Sequence, residues 1–226
     1  NTEIVDINNL RKEKYKLHFT KMQGCANDYI YINCMDQEIN SPESLSVFLS
    51  DRHRGVGGDG VVLICPSDLA DAKMRMFNLD GSEGEMCGNA IRCVAKYLYD
   101  KNMVKKLDMN IETLSGIRAL KLTTKNHVVT RVQVDMGKAE LDPKQIPVDL
   151  DMDQVIDQDV TIGGRVYPIT CVSMGNPHCV VFFDDIDHLD LAAIGDTFEY
   201  SPLFPDRVNT EFVKPIDEHT IKMRVW

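Results

Sequence analysis

The sequence predicts an α+β fold built from two related halves, the second of them incomplete, and three observations carry that prediction. Strand-like runs outnumber helical ones ten to three. The order of strands and helices repeats at a fixed offset of 149 residues. One helix opens on Cys87-Gly88-Asn89, an address that a buried structural thiol does not need.

Taken in order, Asp28 to Met35 contains YIYINC, aromatic and β-branched residues suited to a strand. Ser41-Pro42-Glu43-Ser44 then offers a Ser cap and a Pro in the first turn of a helix running to about Arg52. VVLIC (Val61 to Cys65) and Lys73 to Asn78 follow as strands. The helix from Cys87 to about Asp100 places Ile91, Val94, Ala95 and Leu98 at helical spacing for burial. Met109 to Thr113, Ile117 to Thr123, Val128 to Met136 and Thr161 to Ile169 are expected strands. So are Cys179 to Asp184, Thr210 to Lys214 and Thr220 to Trp226, with a third helix from about Leu189 to Phe198. This gives an N-terminal extension over 1–16, a first half over 17–131 and a second over 132–226.

The repeat fixes the relation between the halves. Gly24-Cys25-Ala26-Asn27-Asp28 leads into YIYINC as Met174-Gly175-Asn176-Pro177-His178 leads into CVVFF. Setting Asn27 on Asn176 brings Gly60 to Asn209 and lays Lys73-Met74-Arg75-Met76-Phe77 on Lys222-Met223-Arg224-Val225-Trp226. The counterpart of Cys87 is then expected near position 236, beyond Trp226, and the sheet of the second half is expected to lack its covering helix.

Bulk composition excludes several classes. With 226 residues, 43% hydrophobic, 27% charged and a formal net charge of -10, the chain reads as globular and acidic, which argues against nucleic acid as its main partner. Arg11-Lys12-Glu13-Lys14 is a short, interrupted basic stretch, expected as a solvated extension. No apolar run reaches the roughly 18 residues of a membrane span, and the start lacks a secretory signal's apolar core. Asn1 in place of Met leaves room for an upstream segment. Seven cysteines, an odd number without C-x-x-C spacing, point to a reducing cytoplasm and neither to a disulfide framework nor to a zinc site.

Two motif matches are set aside. Gly55 to Gly60 spells G-x-G-x-x-G, with Asp80 twenty residues beyond, but here a helix precedes the loop and a strand follows it, the reverse of a dinucleotide site. Asp149 to Val160 starts like a calcium loop, then has Gln154 where Gly is needed and Val160 where Glu is needed, so a solvated acidic connection is expected. No metal site is expected.

The chemistry concentrates at Cys87. A thiol at a helix N-terminus meets a partial positive charge of roughly half an elementary charge and free backbone N–H groups, which favour the thiolate. Gly88 lets a ligand approach the backbone, where the same N–H groups can hold a carboxylate. The thiol is then poised against the adjacent Cα–H of a bound amino acid. Inverting that centre takes one base on each face, and a duplicated fold supplies such a pair. No pyridoxal phosphate attachment site is recognisable, so positioned hydrogen bonds and helix N-termini are expected to stabilise the carbanion without a cofactor. Asparagine, which both donates and accepts, suits recognition of an ammonium and a carboxylate together. Cys93 is expected to pack.

FNLDGSEGEMCGNAIRC (Phe77 to Cys93), VSMGNPHCV (Val172 to Val180), FPDRVNTEFV (Phe204 to Val213) and QGCANDY (Gln23 to Tyr29) together resemble the diaminopimelate epimerase family, from about Leu17 to Trp226. The resemblance implies two halves, each a mixed or antiparallel sheet or barrel wrapped on a central helix. It implies cofactor-independent interconversion of LL- and meso-diaminopimelate by a homodimer. Cys87 falls on the family's first acid/base cysteine, Gly88, Asn89, Asn27, Asn78, Asn176 and Asn209 fall on substrate-site positions, and His178 falls on the G-N-P-H histidine near the catalytic centre, so that Cys87 and His178 are the expected catalytic residues. The family's Glu-Arg pair and C-G-T-G motif are not among these residues, so the 226-residue chain is expected to be inactive by itself. A proline or hydroxyproline racemase and a non-catalytic amino-acid-binding module are the alternatives.

Overall fold

A computed structural model describes residues 16–226, and the basic stretch at Arg11 to Lys14 lies outside them. Two compact units divide at Met136/Gly137. Among the described residues, no helix is long and apolar enough to cross a membrane.

The first unit holds β1 (Thr20–Gly24), β2 (Asn27–Asn33), α1 (Pro42–Ser50), β3 (Gly60–Cys65), β4 (Ala72–Asn78), β5 (Glu83–Gly84), α2 (Gly88–Asp100), β6 (Asp108–Thr113), β7 (Gly116–Lys125) and β8 (Val128–Val134). The strands form one sheet in the order β1-β2-β3-β4-β6-β7-β8, with β5 beside β4. Successive side chains point to opposite faces, so the apolar runs of β2 and β3 bury both. Ile30, Ile32, Val61, Leu63 and Phe77 pack with Leu45 and Leu49 of α1. Tyr29, Tyr31, Val62, Ile64, Met74 and Met76 pack with Ile91, Val94, Ala95 and Leu98 of α2, the four residues whose spacing predicts burial. Helix α2 touches β1 and β2 at one side of the sheet and β6, β7 and β8 at the other, so the sheet wraps it as a central helix.

The second unit holds β9 (Gln158–Ile162), β10 (Arg165–Ser173), β11 (Pro177–Phe182), α3 (Leu191–Glu199), β12 (Asn209–Asp217) and β13 (Thr220–Val225), in sheet order β13-β12-β11-β10-β9. Its core runs through Ile169, Cys171, Cys179, Val181, Phe198 and Phe212. Tyr167, Phe183, Phe198 and Phe212 form tilted and edge-on ring pairs there.

The repeat is visible at the level of hydrogen-bond register. Strands β2 and β3 pair in parallel with Tyr29 opposite Gly60, and β11 and β12 do so with His178 opposite Asn209, both shifted by 149. Strands β3 and β4 pair Val62 with Met76 and Leu63 with Arg75, while β12 and β13 pair Glu211 with Val225 and Phe212 with Arg224. Helix α3 begins and ends 149 residues after α1. Only the preceding hairpin departs by one residue: Gly24 faces Asn27, whereas Ser173 faces Pro177. The two sheets also differ in cover. Ala72, Met74 and Met76 are 0%, 2% and 4% exposed, and their counterparts Ile221, Met223 and Val225 are 60%, 54% and 47% exposed.

Two expectations need correction, and two short strands escape prediction. The run Thr161 to Ile169 is not one strand but the end of β9 and the start of β10, folded at Gly163-Gly164, whose φ values of +57° and +78° suit a two-residue hairpin turn. Strands β1 and β5 carry no period long enough to predict. Ser41 makes no side-chain cap on α1.

Strand β5 leads directly to Cys87 and is held by Arg75, whose Nε and Nη2 donate to Glu83 at 2.7 and 2.9 Å. The guanidinium beside it holds the Glu83 carboxyl below its ordinary value of 4.5. A depressed folded-state pKa contributes stability that is complete above the unfolded value and disappears as pH falls through the folded one. Glu83→Gln is therefore expected to cost about 1 kcal/mol at pH 7. The difference from the wild type should shrink below the ordinary glutamate range, as read by denaturant unfolding at both pH values.

Candidate active site

Cys87 is the N-cap of α2, with extended backbone at φ −141° and ψ 115°. Its sulfur accepts from Ala90 N at 3.5 Å and from Asn27 Nδ2 at 3.7 Å. Cap geometry thus does with sulfur what Ser or Asp oxygen does elsewhere, leaving the thiol half-buried at the helix mouth. Asn27 reaches it because the β1/β2 turn is only two residues, Cys25 and Ala26, both left-handed at φ +53° and +67°. A Cβ on Gly24 would sit 3.1 Å from Asn89 O, so this hairpin lies tight against the start of α2. Arg92 donates to Asn89 Oδ1 and, at 3.5 Å, to Cys25 Sγ, tying the same turn down a second time.

Gly88 has no such crowding. A Cβ there would meet only the tip of Met136, at 3.5 Å from Sδ and 3.6 Å from Cε, ordinary contacts, and its backbone has no left-handed φ. Neither packing nor conformation requires glycine, and what it supplies is open space above the helix N-terminus. Asn78 closes β4 in register with Gly60, which faces Tyr29 on β2, so Tyr29, Gly60 and Asn78 form one row across the sheet. Asn78 Nδ2 donates to Ser82 Oγ at 3.0 Å. The structure therefore brings Asn27, Cys87, Gly88 and Asn89 together in the first unit, with Asn78 in the neighbouring row.

In the second unit Asn176, His178 and Asn209 also converge. His178 Nε2 lies 3.0 Å from Asn176 Oδ1, and its Nδ1 lies 2.7 Å from Glu211 Oε1. Asn209 Nδ2 donates to Pro177 O at 3.0 Å.

Two residues escaped the sequence reading. Tyr29 is the counterpart of His178 under the 149-residue offset. It packs in the cluster that Cys87 joins, where burial first and the charge Cys87 can carry second push its hydroxyl above the ordinary range. Glu211 occupies the counterpart of buried Val62. Extending the repeat alignment to every position, with attention to polar-for-apolar exchanges, would have found both.

The remaining buried thiols are built differently. Hydrogen bonding with Cys65, then burial, pushes Cys34 up. Hydrogen bonding with Cys171, its cross-strand partner, then burial, pushes Cys179 up. Burial pushes Cys93 up, in the α2 core. Cys34, Cys93 and Cys179 are thereby kept neutral.

Comparison with known proteins agrees with this geometry. A family model described as diaminopimelate epimerase matches residues 19–141 and 170–226. A diaminopimelate epimerase of Methanococcus maripaludis (strain S2) is 52% identical over 210 residues, 93% of this chain and 76% of that protein. One from Acetivibrio thermocellus is 51% identical over 210 residues, 93% and 75% of the two chains. Among solved structures, a Bacillus anthracis phenazine biosynthesis protein of the PhzF family aligns with a TM-score of 0.60 at 17% identity, covering 93% of this chain and 70% of its own. A probable proline racemase from Agrobacterium radiobacter aligns at 0.58 and 15%, covering 92% and 69%. At such identities these last two show the shared fold alone. A helix-capping thiol within a duplicated sheet-and-helix fold, joined to half-identical relatives over 93% of the chain, places this isomerase in the diaminopimelate epimerase family.

Proposed function

We propose that the protein interconverts LL- and meso-diaminopimelate by proton transfer at Cα, with Cys87 as one of two acid/base cysteines. The observation that carries this reading is the half-buried thiol at the mouth of α2 with Ala90 N and Asn27 Nδ2 directed at its sulfur. The substrate carboxylate takes the free N–H groups at Gly88 and Asn89, where the helix dipole favours negative charge. In the first unit Asn27 and Asn78 supply amide groups for the substrate's ammonium and carboxylate, and in the second Asn176, Asn209 and His178 offer amide and imidazole groups for polar ligand atoms. The Cys87 thiolate removes the Cα proton from one face, the backbone donors hold the carbanion's developing charge, and an acid on the other face returns a proton. That second group is proposed to be the Cys87 counterpart near position 236. A polypeptide of these 226 residues alone is therefore expected to bind substrate without turning it over. Homodimer formation and a cytoplasmic place belong to the same reading, to which the seven free cysteines are suited.

Alkylation kinetics followed by mass spectrometry test it. Iodoacetamide labelling of Cys87 is expected to slow at least fivefold, an effect of about 1 kcal/mol, when meso-diaminopimelate is added. Exposed Cys25 serves as the reference thiol. L-Proline and trans-4-hydroxyproline should give no protection. Protection by proline alone would move the reading to a racemase, and protection by neither compound would overturn it. Gly88→Val is expected to fold normally and lose the protection.

A further inference from the structure

We infer that Glu211 is a positioning residue, which fixes the ring orientation and tautomer of His178 so that Nε2 faces the substrate-side amide of Asn176. The inference rests on the reading of His178 as a site residue. Strands β11 and β12 are parallel with His178 opposite Asn209, so Glu211, two residues further along β12, stands diagonally across the same face. Its Oε1 lies 2.7 Å from His178 Nδ1, and the two side chains are only 14% and 24% exposed. Glu211 Oε2 is buried without a hydrogen-bond partner. A half-satisfied interior carboxylate is unfavourable, and a purely structural role would choose otherwise. Val62 shows the choice: at the same position of the first sheet, under the same register, the residue is a buried valine. The fold does not call for a carboxylate here, and the histidine does.

With Nδ1–H donated to Glu211, the lone pair is left on Nε2. Asn176 Oδ1 lies 3.0 Å from Nε2, so the Nδ1–H form requires that carboxamide to turn over and offer its Nδ2, or a substrate N–H to take its place. A second carboxylate oxygen with no protein partner gives the imidazole a strong acceptor that nothing else in the described residues shares.

Long-range proton–nitrogen correlation spectra of the 226-residue chain, uniformly labelled with nitrogen-15, provide the test. His178 signals are assigned by their disappearance in His178→Gln, one of six histidines. The wild type is expected to carry its proton on Nδ1. Glu211→Val, which installs the first unit's own residue, should release the ring to the Nε2–H form that an unconstrained histidine side chain prefers, with an unchanged melting temperature. Glu211→Gln, which keeps an acceptor, should retain Nδ1–H. In an enzyme that also supplies the opposing base, Glu211→Val should lower kcat about tenfold or more with KM within about twofold, and Glu211→Gln should recover most of that loss. A wild-type ring already in the Nε2–H form, or one unmoved by Glu211→Val, overturns the inference. If His178→Gln leaves kcat intact while Glu211→Val still moves the proton, the catalytic reading of His178 fails and the positioning by Glu211 stands.

Discussion

Cys87→Ser, in a polypeptide that supplies both bases, is expected to lower kcat for epimerisation by roughly 10²-fold or more while leaving the melting temperature unchanged or slightly raised. The two halves of this expectation separate chemistry from architecture. As N-cap of α2, Cys87 accepts from Ala90 N through its sulfur, and serine, among the preferred capping residues, does this at least as well. The proton transfer is another matter, because a serine hydroxyl with no adjacent general base does not take a Cα proton near neutral pH. Cys87→Ala should lose both, with about 1 kcal/mol of stability gone along with the cap. Solvent deuterium incorporation at Cα and thermal unfolding, measured on the same three proteins, read the two effects independently. Turnover of Cys87→Ser within tenfold of the wild type would show that the thiol is only a cap.

Much of this was legible in the sequence, for physical reasons that differ from element to element. Helix α2 announces itself because Ile91, Val94, Ala95 and Leu98 must all be apolar to fill a wrapped sheet, and all four are buried. The repeat is readable because register is conserved through turns of equal length: the 149-residue offset links His178 with Tyr29 and Asn209 with Gly60 across the same parallel pairing. What failed is equally specific. The hairpin at Gly163-Gly164 disappears inside an apparently continuous strand because the residues on both sides are strand formers. The G-x-G-x-x-G run, set aside as a dinucleotide site, has a local role at its start that its spelling does not reveal. Gly55, Val56, Gly57 and Gly58 donate back to Asp51, Leu49, Leu49 and Ser50 carbonyls, ending α1. A Cβ on Gly55 would lie 2.3 Å from Phe48 O. The roles of Tyr29 and Glu211 depend on which face of a sheet each side chain takes, information that a single strand's composition does not contain.

Gly60→Ala is expected to be among the most damaging single-methyl changes in the first unit, costing about 3 kcal/mol or more. That corresponds to a fall in melting temperature of roughly 10 °C. An added Cβ would stand 2.1 Å from Phe77 O and 2.9 Å from Tyr29 Cε1. The first neighbour is backbone of β4, the strand paired with β3, so relief requires the two strands to separate and part of their hydrogen-bond ladder to be lost. The second neighbour is the ring that packs beside Cys87, so the same displacement should reach the thiol and accelerate its alkylation. The repeat supplies the internal contrast. Asn209, at the equivalent position of β12, carries a full side chain and uses it to donate to Pro177 O, because there the chain leaves room for it. Gly164→Ala is the control: it also places a Cβ on glycine, at φ +78°, but with nothing within 4 Å, so only the left-handed strain of about 1 kcal/mol remains. If Gly60→Ala melts like Gly164→Ala, the close approach of β4 to β3 is relieved without cost. The row formed by Tyr29, Gly60 and Asn78 would then not be what holds the edge of the site rigid.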